Sequence, residues 1–247
     1  MNRNLCVGAL GLLAAAATSA SAQELPSIMI TITASTGVDA HTWSGVATGQ
    51  WSANGTIDYT RSNWNLRDPD SGVVVAHINE VTMHYDADPV VNLFFSVQAG
   101  LANTTFTISS ALLSFPGINP AIGRATAGMT LTDSDGDGAS LTASADPVMA
   151  GGMYRAATNG YAGTYNGTTF ATFFPGYAVG AWASSTVSDV LGFIPVPGTV
   201  NDMSSMFTFT LSANDQASGT SSFVILPTPG AAALMGLAAL SVSRRRR

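Results

Sequence analysis

Alternation of apolar residues with threonine and serine is the feature that most limits how this chain can fold. Residues 28–33 alternate three isoleucines with methionine and threonine, and segments 104–109, 125–132 and 206–212 repeat the same two-residue period. A period of two gives a β-strand one apolar and one polar face. Segment 90–97 is apolar almost throughout, which predicts a strand buried on both faces.

Turn sequences separate these segments. Asn166-Gly167, between AGTY and TTFATFF, is a two-residue hairpin signal, and glycine recurs too often for long interior helices. Strands at intervals of about ten residues predict an all-β fold. We expect one antiparallel β-sandwich, jelly-roll-like, over residues 23–226, with an N-terminal signal helix before it and a C-terminal transmembrane-type helix after it.

The N-terminus has the pattern of a secretory signal peptide. Arg3 precedes an apolar run over residues 5–17, and Ala20-Ser21-Ala22 forms an A-x-A cleavage site before Gln23. The single cysteine, Cys6, lies inside this segment. We therefore predict that residues 1–22 are removed on export and that the mature chain has no disulfide and no thiolate metal site.

The C-terminus combines a short apolar segment with a basic end. Pro227 and Pro229 precede small and apolar residues over 230–243, and the chain closes on four arginines: Arg244, Arg245, Arg246 and Arg247. At about 1.5 Å per residue this segment makes a helix of about 21 Å, shorter than the ~30 Å hydrocarbon core. The arginines would hold its end in the cytoplasm. The alternative is a terminal surface helix.

Residues 227–247 resemble the PEP-CTERM sorting signal, in which a Pro-x-Pro turn and a short apolar helix end in an arginine cluster. Thr228 stands where that family has its central glutamate. The resemblance implies an exosortase-type processing enzyme as partner and transient anchoring in the inner membrane. It further implies delivery to the cell envelope or outer surface, or secretion into an extracellular polysaccharide matrix.

The charges of the body exclude one class of partner. The chain has no lysine, and beyond residue 22 and before the terminal arginines only four arginines face fifteen acids, a net charge of −11. A body this acidic repels phosphate backbones, so we expect no nucleic acid as partner. The same charge favours cation binding.

The sharpest motif is DSDGDG, residues 133–138. Asp133, Asp135 and Asp137 alternate and a glycine follows, as in the first half of a calcium loop, where carboxylate oxygens converge on a hard cation. The twelfth position of such a loop is Ser144 rather than glutamate, and Asp146 lies two residues beyond. We treat the three aspartates as a candidate calcium site, with an ordinary acidic hairpin turn as the alternative.

Two further groups of residues suggest chemistry. Trp43, Trp51 and Trp64 lie close together in the sequence and predict either a carbohydrate-stacking surface or part of the core. The second group is the acids and histidines of segment 77–88, which predicts either a zinc site or solvated polar positions. In an unbroken strand, His77 and His84 would occupy opposite faces.

Covalent catalysis by lysine or cysteine is excluded in the mature chain, and no G-x-S-x-G elbow is present. We therefore expect a non-enzymatic exported protein with a structural or adhesive role, with calcium as its candidate cofactor. The alternatives are a carbohydrate-binding module of the polysaccharide matrix and a secreted hydrolase that uses Glu80 and the acids near it.

Overall fold

The computed structural model describes residues 28–47, 52, 55–228 and 230. This part of the chain forms fifteen strands and two 3-10 helices, Pro147–Met149 and Ala162–Thr164. The strands are β1 (Ile28–Ser35), β2 (Ala40–Ala47), β3 (Thr56–Arg67), β4 (Val74–Asp86), β5 (Val90–Ala99), β6 (Thr104–Ser109), β7 (Leu113–Ile118), β8 (Ala121–Thr132), β9 (Ala139–Ala143), β10 (Tyr154–Thr158), β11 (Thr168–Phe173), β12 (Tyr177–Val179), β13 (Ser184–Val196), β14 (Val200–Leu211) and β15 (Gln216–Pro227).

The strands form two antiparallel sheets, so the predicted all-β class is confirmed. One sheet has nine strands, with β11-β10-β14-β6-β1-β2 as its main order, while β7 and β9 also pair with β14 and β12 pairs with β9. The other has six strands in the order β13-β8-β15-β5-β4-β3. The predicted signal helix lies outside the described residues, as does nearly all of the predicted C-terminal helix. Within the described ranges, no helix has the length and apolar character needed to cross a bilayer.

The inner faces of the two sheets share one hydrophobic core. Phe95 on β5 stacks on Phe209 on β14 at 5.5 Å between ring centroids, and Phe170 on β11 stacks on Phe223 on β15 at 5.2 Å. The alternation in the sequence selects these inward positions. On β8, for example, every second residue is buried: Ala125, Ala127, Met129 and Leu131. Burial of these apolar side chains is the main favourable term in folding.

The prediction for segment 90–97 is wrong in one respect. β5 alternates between buried and partly exposed positions, and Phe94 exposes 36% of its surface on the outer face of the six-stranded sheet. A run of apolar residues therefore did not mean burial on both faces, because no layer of the described chain covers this face at Phe94. The two faces of β5 are similar in sequence, since both carry apolar residues, but they differ in burial in the structure.

The Asn166-Gly167 prediction is also corrected. The strands of the hairpin are β10 and β11, and the segment before Asn166 forms the 3-10 helix Ala162–Thr164 rather than a strand. Arg155 holds this longer connection. Its buried guanidinium donates from Nη2 to the carbonyl oxygens of Asn166, at 3.1 Å, and Gly167, at 3.0 Å. A tertiary contact thus replaces the local turn that the sequence suggested.

Candidate metal centre

The DSDGDG segment forms the connection between β8 and β9. The Asp133 carboxylate is buried and accepts hydrogen bonds from the backbone N–H groups of Gly136, at 3.2 Å, and Gly138, at 3.3 Å. It also accepts from the backbone N–H of Trp182. Gly136 and Gly138 have φ angles of 92° and 96°, a region that favours glycine. The sequence therefore bends the loop around the first aspartate.

A second connection brings in a residue that the sequence analysis missed. Asp215 is fully buried in the turn between β14 and β15, where its carboxylate accepts from the backbone N–H of Ser134 at 3.1 Å and from the Ser212 hydroxyl. One carboxylate oxygen each of Asp133, Asp137 and Asp215 lies within 4.8 Å of the others. Within the described residues, this is the one group of three or more potential metal ligands that converges in this way.

Asp135, the middle acid of the motif, is not part of this group. One of its carboxylate oxygens accepts a hydrogen bond from the Asn214 side chain at 3.1 Å, and the other accepts from the backbone N–H of Asp137 at 3.5 Å. The structure therefore brings together two of the three predicted aspartates, and Asp215 provides the third carboxylate. Asp135 borders the group and adds its charge.

The distances suit a hard cation. Oxygen atoms bound to one calcium ion at 2.3–2.6 Å can lie up to about 4.6–5.2 Å apart, and the observed limit of 4.8 Å falls in this range. Among the described residues the one salt bridge is between His84 and Asp58, so no arginine neutralises the three acids. The arrangement is able to bind a cation through carboxylate oxygens, which calcium prefers.

The pKa shifts show the electrostatic cost of this arrangement. The pKa of Asp137 is raised, chiefly by its contact with Asp135 and the repulsion between them, then by burial and the charges of Asp215 and Asp133. Burial is the main cause that raises the pKa of Asp215, against hydrogen bonds from Ser212 and Ser134. For Asp133, burial is outweighed by backbone hydrogen bonds, and its pKa is lowered. Two of the three acids are therefore less stable as anions here than in water.

The tryptophans meet at the edge where β2 and β3 face each other. Trp43 and Trp64 are half-buried, their ring centroids lie 5.7 Å apart, and both pack against the core. The Arg61 guanidinium carbon lies 4.6 Å from the Trp43 centroid and 4.5 Å from that of Trp64. The two ring planes are inclined at 58°, so the pair is not one flat platform, and the arginine lies over both rings. Trp51 lies outside the described residues, and sugar stacking at this group stays a prediction.

The residues of segment 77–88 are dispersed over strand β4 and the turn that follows it. A bulge between Ile78 and Glu80 breaks the run, so His77 and His84 lie on the same outer face rather than on the opposite faces expected of an unbroken strand. His77 is hydrogen-bonded to Asn65 and His84 to Asp58, each at 2.7 Å. Glu80 accepts from the Thr82 hydroxyl at 3.2 Å. These side chains pair with close neighbours rather than converge on one point.

Comparisons with known proteins give no family. No family model matches the chain, and no curated protein matches it. Similar solved structures include the adhesin domain of Epf from Streptococcus pyogenes, at 8% identity over 80% of this chain and 58% of that one, with a TM-score of 0.30. They also include two strains of infectious bursal disease virus. The Gx strain structure is 11% identical over 83% of this chain and 58% of that one, with a TM-score of 0.29. The Gt strain structure is 13% identical over 91% of this chain and 71% of that one, with a TM-score of 0.24. The chain thus spans 58% of the first two structures, and similarity this low gives no information on function.

Proposed function

We propose that this chain is an exported, non-enzymatic protein of the cell envelope or extracellular matrix, with a structural or adhesive role and a body stabilised by calcium. The observation that carries the proposal is the convergence of Asp133, Asp137 and Asp215 without a neutralising arginine in the described residues. Such a group is costly in a body of net charge −11 unless a cation binds there.

The position of the acids explains what a cation would do. The loop from β8 to β9 passes from the six-stranded to the nine-stranded sheet, and the turn from β14 to β15 passes back. Trp182, whose N–H contacts Asp133, lies in a third such passage, between β12 and β13. Calcium bound by Asp133, Asp137 and Asp215 would therefore join the two sheets at one end of the body.

The tail and the fold details complete the proposal. Residues 227–247 act as a PEP-CTERM-like sorting signal that anchors the protein until an exosortase-type enzyme processes it.

The jelly-roll-like character of the sandwich is part of the same proposal, and it is supported by the repeated passage of the chain between the two sheets from β5 onward. The affinity for calcium belongs to the extracellular range, about 10⁻⁴–10⁻³ M, because few protein ligands are available.

Thermal unfolding in EDTA and in millimolar calcium tests the proposal. At about 10 mM calcium, about 100 times a Kd of about 10⁻⁴ M, mass action adds about 2.7 kcal/mol to the free energy of unfolding. That gain raises Tm by about 5–10 °C for a domain of roughly 200 residues. Asp215→Asn should lose most of this gain, whereas Asp70→Asn, which changes an exposed acid elsewhere, should keep it.

Asp137→Asn provides a sharper test because the sign of its effect changes with calcium. In EDTA the variant should be more stable than the wild type, since it removes a charge that Asp135, Asp215 and Asp133 repel. In calcium it should be less stable than the wild type, since it removes a ligand. A variant that is less stable in EDTA, or a calcium response equal in all these proteins, contradicts the proposed site and shows only diffuse screening.

A further inference from the structure

A groove crosses the outer face of the six-stranded sheet, on the side away from the core. Its volume is about 600 Å³, and a smaller depression of about 200 Å³ adjoins it and shares Arg124, Thr126 and Ser222 with it. Volumes of this size are typical of small-molecule sites, about 300–1,000 Å³. The groove spans β13, β8, β15 and β5, and its side chains include Asn92, Arg124, Thr126, Ser188, Thr220 and Ser222.

Gly128 creates the floor of the groove. In the register of the sheet it lies between Ser188 on β13 and Thr220 on β15, where a side chain would otherwise fill the row. A Cβ atom placed on Gly128 would come no closer than 3.6 Å to the Val187 carbonyl oxygen and 3.8 Å to the Thr220 methyl carbon. The space above this backbone is therefore open, and a larger residue would occupy it without a clash at its Cβ.

Hydrogen-bonding groups in the groove differ from those elsewhere on the same face. Outside it, hydroxyl groups pair across strands, as Thr130 does with Thr186 at 2.8 Å and Thr60 with Thr82 at 3.2 Å. Inside it, six outward-facing polar side chains make no hydrogen bond to any described part of the protein: Asn92, Arg124, Thr126, Ser188, Thr220 and Ser222. Their donors and acceptors are available to a ligand.

Charge and exposed apolar surface define the class of ligand. Arg124 and Asp189 contribute one charge of each sign to the lining, and the body repels polyanions. Phe94 is 36% exposed beside Thr220, and Val190 is 58% exposed beside Thr126. Hydroxyl and amide groups between two apolar margins match a sugar ring, which has hydroxyl groups at its edge and C–H groups on its faces.

We infer that this groove binds a neutral polysaccharide, with Asn92, Arg124 and the threonine and serine hydroxyls as its hydrogen-bonding groups. The inference names a partner for the adhesive role and so rests on the proposed function. It places the ligand on the outer sheet face rather than at Trp43 and Trp64. The proposed calcium site lies elsewhere, at the end of the two sheets, so the two sites can be tested separately.

Affinity electrophoresis of the full chain in native gels tests the inference. The gels contain dextran, laminarin, galactomannan or xyloglucan as neutral polymers and alginate as the anionic comparison. At least one neutral polymer should retard the wild type. Gly128→Thr, which fills the floor, and Arg124→Gln should each weaken binding by about tenfold or more, the effect of one lost charge-assisted hydrogen bond or of a blocked site. Thr60→Val, on the same face but outside the groove, is the matched control and should bind as the wild type does.

Four outcomes overturn the inference: no retardation by any neutral polymer, retardation by alginate alone, equal retardation of wild type and Gly128→Thr, or loss of binding in Trp64→Phe but not in the groove variants. The last outcome would place the sugar at the tryptophans. If Gly128→Thr does not fold, Arg124→Gln and Thr220→Val test sugar binding in the same groove. If the groove variants keep the rise in Tm that calcium causes, a failure of the sugar-binding inference is distinguished from a failure of the calcium proposal.

Discussion

Gly219 is the position where a single methyl group should disturb the core most. It lies on the inner face of β15, opposite Phe95 on β5, and a Cβ atom there would lie 2.4 Å from Cε1 and 2.5 Å from Cζ of that ring. The ring cannot easily move away, because it also stacks on Phe209 at 5.5 Å and meets Phe207 edge-on at 5.0 Å. Gly219→Ala therefore overpacks the contact between the two sheets.

The expected cost follows from these contacts. Overpacking of a well-packed core costs about 1–3 kcal/mol, and we expect about 2 kcal/mol because the aromatic ring is rigid and enclosed. For a domain of roughly 200 residues this lowers Tm by about 4–8 °C. The measurement is urea unfolding, with an unchanged m-value as the sign that only stability has changed. Gly128→Ala is the matched control on the outer face, where a Cβ meets only ordinary contacts, and should stay within about 0.5 kcal/mol.

A double-mutant cycle identifies the cause. Phe95→Leu removes the ring and by itself costs about 1–2 kcal/mol through lost burial. In that background Gly219→Ala should cost less than about 0.5 kcal/mol, which gives a coupling of at least about 1 kcal/mol between the two positions. Additive effects would refute the reasoning, because they would mean that the alanine methyl group meets something other than the Phe95 ring.

Three other predictions concern a buried charge, a turn and the two termini. Arg155→Lys should lower the free energy of unfolding by about 2 kcal/mol, because lysine cannot reproduce the planar set of hydrogen bonds that holds the loop before β11. Urea unfolding measures this loss, and an unchanged urea midpoint would contradict the prediction. Backbone N–H groups, led by that of Ser71, lower the pKa of Asp68 to about 2. The Asp68 carboxylate therefore stabilises the fold above the pKa that it has in the unfolded chain, and this stabilisation is lost as the pH falls from about 4 to about 2. In acid-unfolding measurements, Asp68→Asn should lose less stability than the wild type over this range. Finally, N-terminal sequencing of secreted protein should give Gln23, and deletion of residues 230–247 should move the protein from the membrane fraction to the medium; a truncated chain that stays with the membrane contradicts the anchor.

Local alternation predicted strands well where the strand is regular. β6 covers segment 104–109 as expected, with Phe106 and Ile108 in the core. The same reasoning did not extend across β4, because the bulge between Ile78 and Glu80 reverses which residues face inward, and a bulge has no local signal in this segment. It also failed before β11, where Arg155 holds a loop by contacts that sequence periodicity does not report. Tertiary contacts determined both exceptions.

Asp215 could not be found from the motif, but strand pairing accounts for its position. β8 and β15 are antiparallel neighbours with Thr132 opposite Gln216, so the next residue beyond each strand end, Asp133 and Asp215, must lie close together. Asp146, two residues beyond the twelfth position of the loop, instead caps the first 3-10 helix by accepting from the Val148 N–H at 2.9 Å. The half-loop therefore lacks its own C-terminal ligand and has a carboxylate from a neighbouring turn in its place. Once the pairing of β8 with β15 is known, an acid at the β14–β15 turn becomes the first residue to test as a ligand.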